Sequence, residues 1–267
     1  MADPTRLTGL SGSLVLVRHG ETTWITEGRF QGRSDPPLSP LGELQASRVT
    51  QRLVAPSASP ALPLPATAPL GVWHSPLQRA AVVARGIAAG HDVPLAGMDD
   101  LLEIDQGAWE GRTNAEVEAR YGTELAAWRR DPLHHHAPGG ESLDVAGIRA
   151  ARAAETLLGA LRRAVDAAEP TGGTIRPSTS HVIGYASPGT DGEPWPWLVT
   201  VAHDGLLRLL MLDLLRLPRD AFWSFPFTLC GVTIVEIRAG IARLRAHNLA
   251  DHLDGLVPAA PAGLPSR

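Results

Sequence analysis

The chain has 267 residues, 44% of them apolar, which is enough to bury a sizeable core and excludes a disordered chain. A formal net charge of −4 argues against a nucleic-acid-binding or membrane-surface protein, and no apolar run is long enough to span a membrane. Cys230 is the only cysteine, so a disulfide framework within one chain is excluded.

The first predicted element is a strand over 13–17, "SLVLV", whose continuous apolar, β-branched composition predicts burial on both faces. The strand is followed at once by the polar pair Arg18 and His19. The residues before it, "MADPTRLTGLSG", lack the basic-then-apolar plan of a signal peptide, and we expect a cytoplasmic protein. A helix is predicted over 39–55, with Ser39 as its N-cap and Pro40 at its first position.

The middle of the chain alternates strands and helices. The proline-rich segment 56–69 is predicted to be a surface loop without packed structure. The following elements are predicted in chain order: a strand over 71–75, a helix over 76–90, a mixed stretch over 93–111, a helix over 113–131 interrupted at Gly122, and an amphipathic helix over 143–169.

The last third begins with a second expected surface insertion, 170–197, which is rich in Gly, Pro, Ser and Thr. A strand over 197–203 ends on His203, a helix follows over 205–217, and two final strands turn at Gly240. This order predicts one domain over 1–267. It should be an α/β three-layer sandwich around a mainly parallel sheet, with an antiparallel strand at one edge.

Polar side chains that together suit phosphoryl transfer lie near the predicted strand ends. Ligands bind outside the carboxyl ends of strands in such sheets, where His19 and His203 would meet if their strands are neighbours. The guanidiniums of Arg18 and Arg79 suit phosphate oxygens. A neutral histidine can attack phosphorus, and the carboxyl group of Glu103 can protonate a leaving alcohol. With arginines supplying positive charge, phosphoryl transfer needs no metal.

The sequence resembles the histidine phosphatase superfamily, the phosphoglycerate mutase-like proteins. Blocks in the family's order carry the resemblance: "RHGETTW", "EGRFQGRSDPPLSPLGELQA", "HSPLQRA", "LEIDQGAWEGRT", "PGGES" and "VAHDGLLRLL". The order of the blocks is more specific than any one of them, and they cover about 13–253 apart from the insertions. The resemblance implies a phosphoglycerate mutase-like fold and no cofactor.

The resemblance also assigns roles by position. His19 becomes the nucleophile and phosphohistidine, and Glu103 becomes the general acid and base. Arg18, Arg79 and His203 form the phosphate pocket. The substrate side is expected to include Gln31 and Gly32, and the backbone at Asp204 and Gly205 is expected to approach the phosphate.

Two departures from the family pattern concern the pocket. Ile25 stands where relatives usually carry Asn, and Asp204 stands where many carry Gly. A carboxylate at 204 would weaken phosphate binding unless it points away or binds a nearby arginine.

A phosphatase acting on small phosphorylated metabolites is the favoured function, and a bisphosphoglycerate-dependent phosphoglycerate mutase is the alternative. Asn114 stands where mutases carry Lys, which favours water as the acceptor. Arg129 and Arg130 fit either a mutase-type carboxylate site or a solvated helix end. A relative that only binds a phosphorylated ligand is disfavoured because His19 and Glu103 are both present.

Other features of the sequence are predicted to have no direct part in the chemistry. Adjacent side chains diverge, so His134, His135 and His136 are not expected to hold a metal. Trp195 and Trp197 are predicted to anchor a loop, and "FWSFPF" (222–227) to pack in the core below the rim. Specificity is expected to come from loops 56–69, 131–140 and 170–197. The sequence leaves the physiological substrate open and is compatible with a homodimer.

Overall fold

Six strands form one sheet in the computed structural model, which describes residues 5–167 and 195–256. The strands are β1 (Gly12–Arg18), β2 (Val72–His74), β3 (Leu95–Gly97), β4 (Trp197–Ala202), β5 (Val232–Arg238) and β6 (Ile241–Leu249). Their order is β3-β2-β4-β1-β5-β6, with parallel pairing from β3 to β1. β5 pairs antiparallel with both β1 and β6, so the antiparallel part lies at one edge, as predicted.

Helices cover both faces of the sheet. The α-helices are α1 (Thr23–Thr26), α2 (Pro40–Val54), α3 (Gln78–His91), α4 (Asn114–Arg130), α5 (Leu143–Ala167) and α6 (Asp204–Leu215). Short 3₁₀ turns lie at Asp99–Leu101, Gly107–Trp109, Arg219–Ser224 and Asp251–Leu253. α2 and α3 pack on one face and α5 and α6 on the other, which gives the predicted three-layer α/β sandwich.

The alternation of side chains along β1 joins the two halves of the core. Leu14 and Leu16 pack with α5 and α6, whereas Val15 and Val17 pack with α2 and α3. All four side chains are fully buried, as the continuous apolar run predicts. A smaller cluster around Trp109 packs α4 against the loop residues Phe30 and Ala137.

The predicted helix signals mark real helix ends. The Ser39 side chain accepts a hydrogen bond from the Gly42 amide, and Pro40 is the first residue of α2. The predicted interruption of α4 lies one residue earlier than Gly122, at Tyr121, where the backbone leaves helical geometry. The short strand β3 was not separated from the mixed stretch 93–111 by the sequence pattern, because only three residues form it.

The prediction for segment 56–69 was wrong in one respect. The segment has no helix or strand, but Leu62 and Leu64 are buried in the core beside α2 and α3. Its backbone also accepts hydrogen bonds from Arg52 and Trp197. The high proline content of the segment predicted a surface loop and gave no signal that its leucines are buried. Most of the second expected insertion, 170–194, lies outside the described residues.

Both tryptophans at the end of that expected insertion anchor the chain to the sandwich. The Trp195 indole donates to the Ser13 hydroxyl, and its ring lies under the Arg238 guanidinium. Trp197 is the first residue of β4 and is fully buried. Within the two described ranges, no helix has the length and apolarity needed to cross a membrane.

Two glycines allow the end of β1 to lie directly on the start of α2. A Cβ on Gly20 would come within 2.6 Å of the Gly42 carbonyl oxygen. A Cβ on Gly42 would overlap the Glu21 carbonyl oxygen, which accepts from the Ser39 amide. The residues that follow His19 are therefore held against α2 by a backbone contact that leaves no room for a side chain.

Gly42→Ala should destabilise the fold because the added methyl group forces α2 away from Glu21. We expect the free energy of unfolding to fall by about 1–3 kcal/mol, the usual cost of overpacking. Urea unfolding measures the change. Gly122→Ala is the control because a Cβ there meets nothing within 4 Å. Equal stability of the two variants would contradict this packing argument.

Candidate active site

The carboxyl ends of β1, β2 and β4 meet at one edge of the sheet. Arg18 pairs with Ala202, and His74 pairs with Val201, so the next residues of these strands are neighbours. Those residues are His19, Ser75 and His203, and all three are buried. The ring centroids of the two histidines are 5.1 Å apart. Strand register alone thus brings both predicted histidines together.

His19 is held in one tautomer by its own neighbour. Nδ1 lies 2.7 Å from the Gly20 carbonyl oxygen. A carbonyl can only accept, so Nδ1 carries the proton and Nε2 keeps the lone pair when the ring is neutral. Burial holds the pKa of His19 well below its ordinary value, and the charges of Arg79 and Arg18 lower it further. A neutral imidazole with a free Nε2 is a nucleophile.

His203 lies beside His19 and contacts two protein partners. The Arg79 guanidinium donates from Nε to His203 Nδ1 over 3.2 Å, so His203 Nε2 bears the proton and donates to the Ser75 hydroxyl at 2.8 Å. Burial lowers the pKa of His203 well below its ordinary value, with Arg79 and His19 adding to the effect. Both ring nitrogens of this neutral histidine are therefore occupied.

Arg79 is 1% exposed and connects His203 to a loop. Its terminal nitrogens donate to the carbonyl oxygens of Gly32 at 2.8 Å and Ser34 at 2.7 Å. Burial lowers the pKa of Arg79 to about 10, so the guanidinium stays positive at neutral pH. Arg18 reaches the same cavity and donates from a terminal nitrogen to the Phe227 carbonyl oxygen at 2.6 Å.

Glu103 is held at the N-terminus of α6. Its carboxylate accepts from the backbone amides of Ile104, Gly205 and Leu206 over 2.9–3.2 Å. A Cβ on Gly205 would come within 2.8 Å of this carboxylate, so glycine makes the close approach possible. Burial raises the pKa of Glu103 and the negative Asp204 adds to that rise, against the opposing amide hydrogen bonds and Arg79.

The backbone of Glu103 is supported from α5. Arg149 donates to the carbonyl oxygens of Leu102 and Glu103 and binds Glu141 through two of its nitrogens, at 2.6 and 2.8 Å. Glu141 belongs to the "PGGES" block, and the sequence alone indicates no role for it. Arg149 was missed because an arginine in an amphipathic helix looks like a solvated residue, whereas it is 8% exposed.

Glu110 fixes the loop that carries Gly32. Its carboxylate accepts from the amides of Arg33 and Ser34 and from the Ser34 hydroxyl over 2.7–2.9 Å. Gly32 has a φ of +51°, and a Cβ there would overlap Glu110. Sequence reasoning missed this carboxylate and also Ser75. Both lie inside quoted motifs, which was the available signal.

The carboxylate of Asp204 binds a nearby arginine, which is the arrangement in which it would not weaken phosphate binding. Its oxygens accept from Arg208 at 2.7 Å and from the Phe227 amide at 2.9 Å. The negative charge at this position is thus paired with an arginine.

All but one of the predicted site residues line a single cavity of about 350 Å³. Those lining it are Arg18, His19, Gln31, Gly32, Arg79, Glu103, Asp204 and Gly205. His203 is the exception and lies behind Arg79. Ile25, Asn114 and Trp223 also line the cavity. Trp223 was predicted to be in the core with 222–227, but it is 40% exposed, whereas Phe222 and Phe227 are buried.

Several residues considered for specificity lie elsewhere. Arg129 and Arg130 are exposed at the end of α4 and do not line the cavity. Neither do residues of 56–69 or 131–140. His134 pairs with Asp131, and the described residues contain no group of three or more His, Cys, Asp and Glu placed to hold a metal ion.

The cavity can hold a tetrahedral anion. Two guanidiniums supply positive charge, a neutral imidazole supplies a lone pair, and a carboxyl group of raised pKa supplies a proton. The N-terminus of α6 lies beside them and favours negative charge.

Several named proteins are similar to this chain in sequence, and solved structures are similar to it in fold. Phosphoserine phosphatase 1 of Hydrogenobacter thermophilus is 34% identical over 130 residues, and the match spans 49% of this chain and 56% of that enzyme. Glucosyl-3-phosphoglycerate phosphatase of Mycolicibacterium vanbaalenii is 30% identical over 208 residues, covering 78% of this chain and 76% of that enzyme. A solved mycobacterial glucosyl-3-phosphoglycerate phosphatase in complex with VO3 has a TM-score of 0.65, is 26% identical, and aligns with 90% of this chain and all of its own.

The family description that matches the sequence is "Histidine phosphatase superfamily (branch 1)", and it matches residues 14–187 and 180–250. These ranges contain all six sequence blocks that carry the resemblance and all of the strands apart from the first two residues of β1, Gly12 and Ser13. The relatives named above are phosphatases. The chain belongs to the histidine phosphatase superfamily, branch 1.

Proposed function

We propose that this protein hydrolyses small phosphomonoesters through a phosphohistidine on His19, with Glu103 as general acid and base. The observation that carries the proposal is the tautomer of His19. Its Nδ1 proton is committed to the Gly20 carbonyl, and burial, together with the charges of Arg79 and Arg18, lowers its pKa and keeps the ring neutral beside Glu103 in one cavity.

In the first step, His19 Nε2 attacks phosphorus and the bond from phosphorus to the alcohol oxygen breaks. Glu103 gives its proton to that oxygen, and the alcohol leaves. In the second step, Glu103 takes a proton from water, whose oxygen attacks the same phosphorus. The phosphorus–nitrogen bond breaks, and phosphate and neutral His19 are released.

The positive charge for both steps comes from Arg18 and Arg79, which replaces the need for a metal ion in this scheme. We assign His203 an indirect role: it accepts from Arg79 and so aims that guanidinium at the phosphate. Gln31 and Gly32 belong to the substrate side, and Gly205 admits the Glu103 carboxylate to the N-terminus of α6.

Water is the favoured acceptor of the phosphoryl group over a second phosphoglycerate position. Arg129 and Arg130 lie outside the cavity, so they offer no grip on a substrate carboxylate there. The Asn114 side chain donates to the Gly28 carbonyl and lines the cavity without adding positive charge.

Replacing the nucleophile should remove the covalent intermediate. Wild type with 4-nitrophenyl phosphate should release a rapid burst of 4-nitrophenolate, and radiolabelled phosphate should be trapped on the protein under alkaline quench. His19→Ala should lose both, with kcat reduced by about 10³-fold or more. Full activity in His19→Ala would overturn the mechanism.

Glu103→Gln should lower kcat/KM most for substrates whose leaving group must be protonated. We expect a loss of about 10²–10⁴-fold in kcat/KM for an alkyl phosphate, the range for general acid catalysis. The loss should be much smaller for 4-nitrophenyl phosphate, whose phenolate leaves unprotonated. Equal losses for both substrates would argue against proton donation by Glu103.

The pKa shifts predict an acidic optimum for kcat/KM. His19 must be neutral, and because burial, Arg79 and Arg18 lower its pKa, the neutral form persists below its ordinary titration range. Glu103 must be protonated, and because its pKa is raised by burial and Asp204, activity falls only as pH rises through that raised value. We expect the maximum of kcat/KM on the acidic side of that fall, and Glu103→Gln should lose the fall. A Glu103→Gln profile that keeps the alkaline fall would contradict the assignment of Glu103.

3-Phosphoglycerate distinguishes hydrolysis from isomerisation. Followed by ³¹P NMR, the enzyme should release inorganic phosphate, or leave the compound unchanged, whether or not 2,3-bisphosphoglycerate is added. Formation of 2-phosphoglycerate that depends on the bisphosphate would establish the mutase alternative instead.

A further inference from the structure

The side of the cavity away from the phosphate pocket is formed largely by aromatic rings. Phe30, Trp128, Phe222 and Trp223 line it. Trp223 meets Trp128 and Phe222 edge to face, with centroids 5.1 and 4.9 Å apart, and Trp109 extends the series behind Trp128 at 5.7 Å. We call Phe30, Trp128, Phe222 and Trp223 the aromatic wall.

Trp223 is the exposed member of the aromatic wall. It is 40% exposed, although large apolar side chains normally bury such a surface. Arg208 is 6% exposed and lies with its guanidinium 5.2 Å from the Trp223 ring centroid. A buried cation on a ring orients it and leaves the rest of its apolar surface to the cavity.

Arg208 is itself held in place by hydrogen bonds. It donates to the Asp204 carboxylate at 2.7 Å and to the Phe222 carbonyl at 3.2 Å. Asp204 also accepts from the Phe227 amide at 2.9 Å. Asp204 and Arg208 therefore hold the segment 222–227 at Phe227 and Phe222, and Trp223 lies between these two attachment points.

The charges on this side of the cavity do not favour a second anionic group. Arg29 lines it, but Glu27 binds this arginine at 2.6 Å and Glu116 lies 3.9 Å away. The other cations that line the cavity are Arg18 and Arg79, which belong to the phosphate pocket. An uncharged, flat leaving group matches such a surface better than a carboxylate does.

We infer that Trp223 determines specificity for the leaving group, favouring phosphomonoesters whose alcohol carries a flat aromatic ring, with Asp204 and Arg208 as its positioning residues. The inference rests on the proposed phosphatase function. It concerns the alcohol that leaves with the proton from Glu103, not the phosphate pocket.

The test compares substrates of similar chemical reactivity. 2-Phenylethyl, 2-cyclohexylethyl and ethyl phosphate have alcohols of similar acidity, so differences in kcat/KM report binding of the organic group. We expect wild type to prefer 2-phenylethyl phosphate over the cyclohexyl compound by about 3- to 10-fold, the usual range for aromatic pairs. No preference for either ring compound over ethyl phosphate would overturn the inference.

Variants of Trp223 and Arg208 test whether these residues cause the preference for the aromatic substrate. In Trp223→Ala the 2-phenylethyl to 2-cyclohexylethyl ratio should fall to about one, and Trp223→Phe should restore part of it. Arg208→Lys, which loses the guanidinium plane, should lower the ratio as well. Trp195→Ala is the matched control: it removes another tryptophan stacked on an arginine, away from the cavity, and should leave the ratio unchanged.

The two proposals fail in different ways. Wild-type hydrolysis that is lost in His19→Ala, combined with an unchanged ratio in Trp223→Ala, would overturn the inference and keep the phosphatase. Hydrolysis retained in His19→Ala would overturn the phosphatase mechanism itself. Circular dichroism and thermal unfolding of each variant identify any loss of fold, and the exposure of Trp223 makes its replacement compatible with folding.

Discussion

The parallel register of β1 with β4 is the constraint on which the site depends. Arg18 lies beside Ala202, so the next residues, His19 and His203, leave the sheet side by side. A slip of one residue would turn either histidine to the opposite face. The alternation of Leu14, Val15, Leu16 and Val17 between two cores resists such a slip, because every side chain would enter the wrong layer.

Burial then determines the chemistry of the groups that register brings together. It keeps both imidazoles neutral and raises the pKa of Glu103, while Arg79 keeps its charge. Hydrogen bonds to backbone and hydroxyl groups determine which nitrogen of each ring holds the proton. The surrounding protein therefore sets the charge and orientation of these groups in the absence of substrate, which the proposed phosphoryl transfer requires.

The sequence predicted the layers and the residues of the cavity because both follow from local patterns. Continuous apolar runs mark buried strands, Ser39 and Pro40 mark a helix start, and motif order points to His19 and Glu103. Residues acting through tertiary contacts were not predictable this way. The packing of Leu62 and Leu64, the support of Glu103 by Arg149, and the exposure of Trp223 depend on neighbours distant in the chain. The expected specificity loops 56–69 and 131–140 do not line the cavity, and most of the third, 170–197, lies outside the described residues.

The neutrality of the paired histidines has a consequence for product release in the proposed reaction. Burial lowers the pKa of His19, and the charges of Arg79 and Arg18 lower it further; a bound phosphate would offset those charges and raise the pKa again. Phosphate binding would therefore be accompanied by proton uptake, and the linkage makes binding tighter as pH falls. Acidic conditions that keep Glu103 protonated would also slow the departure of phosphate, so product inhibition would oppose the gain in reactivity.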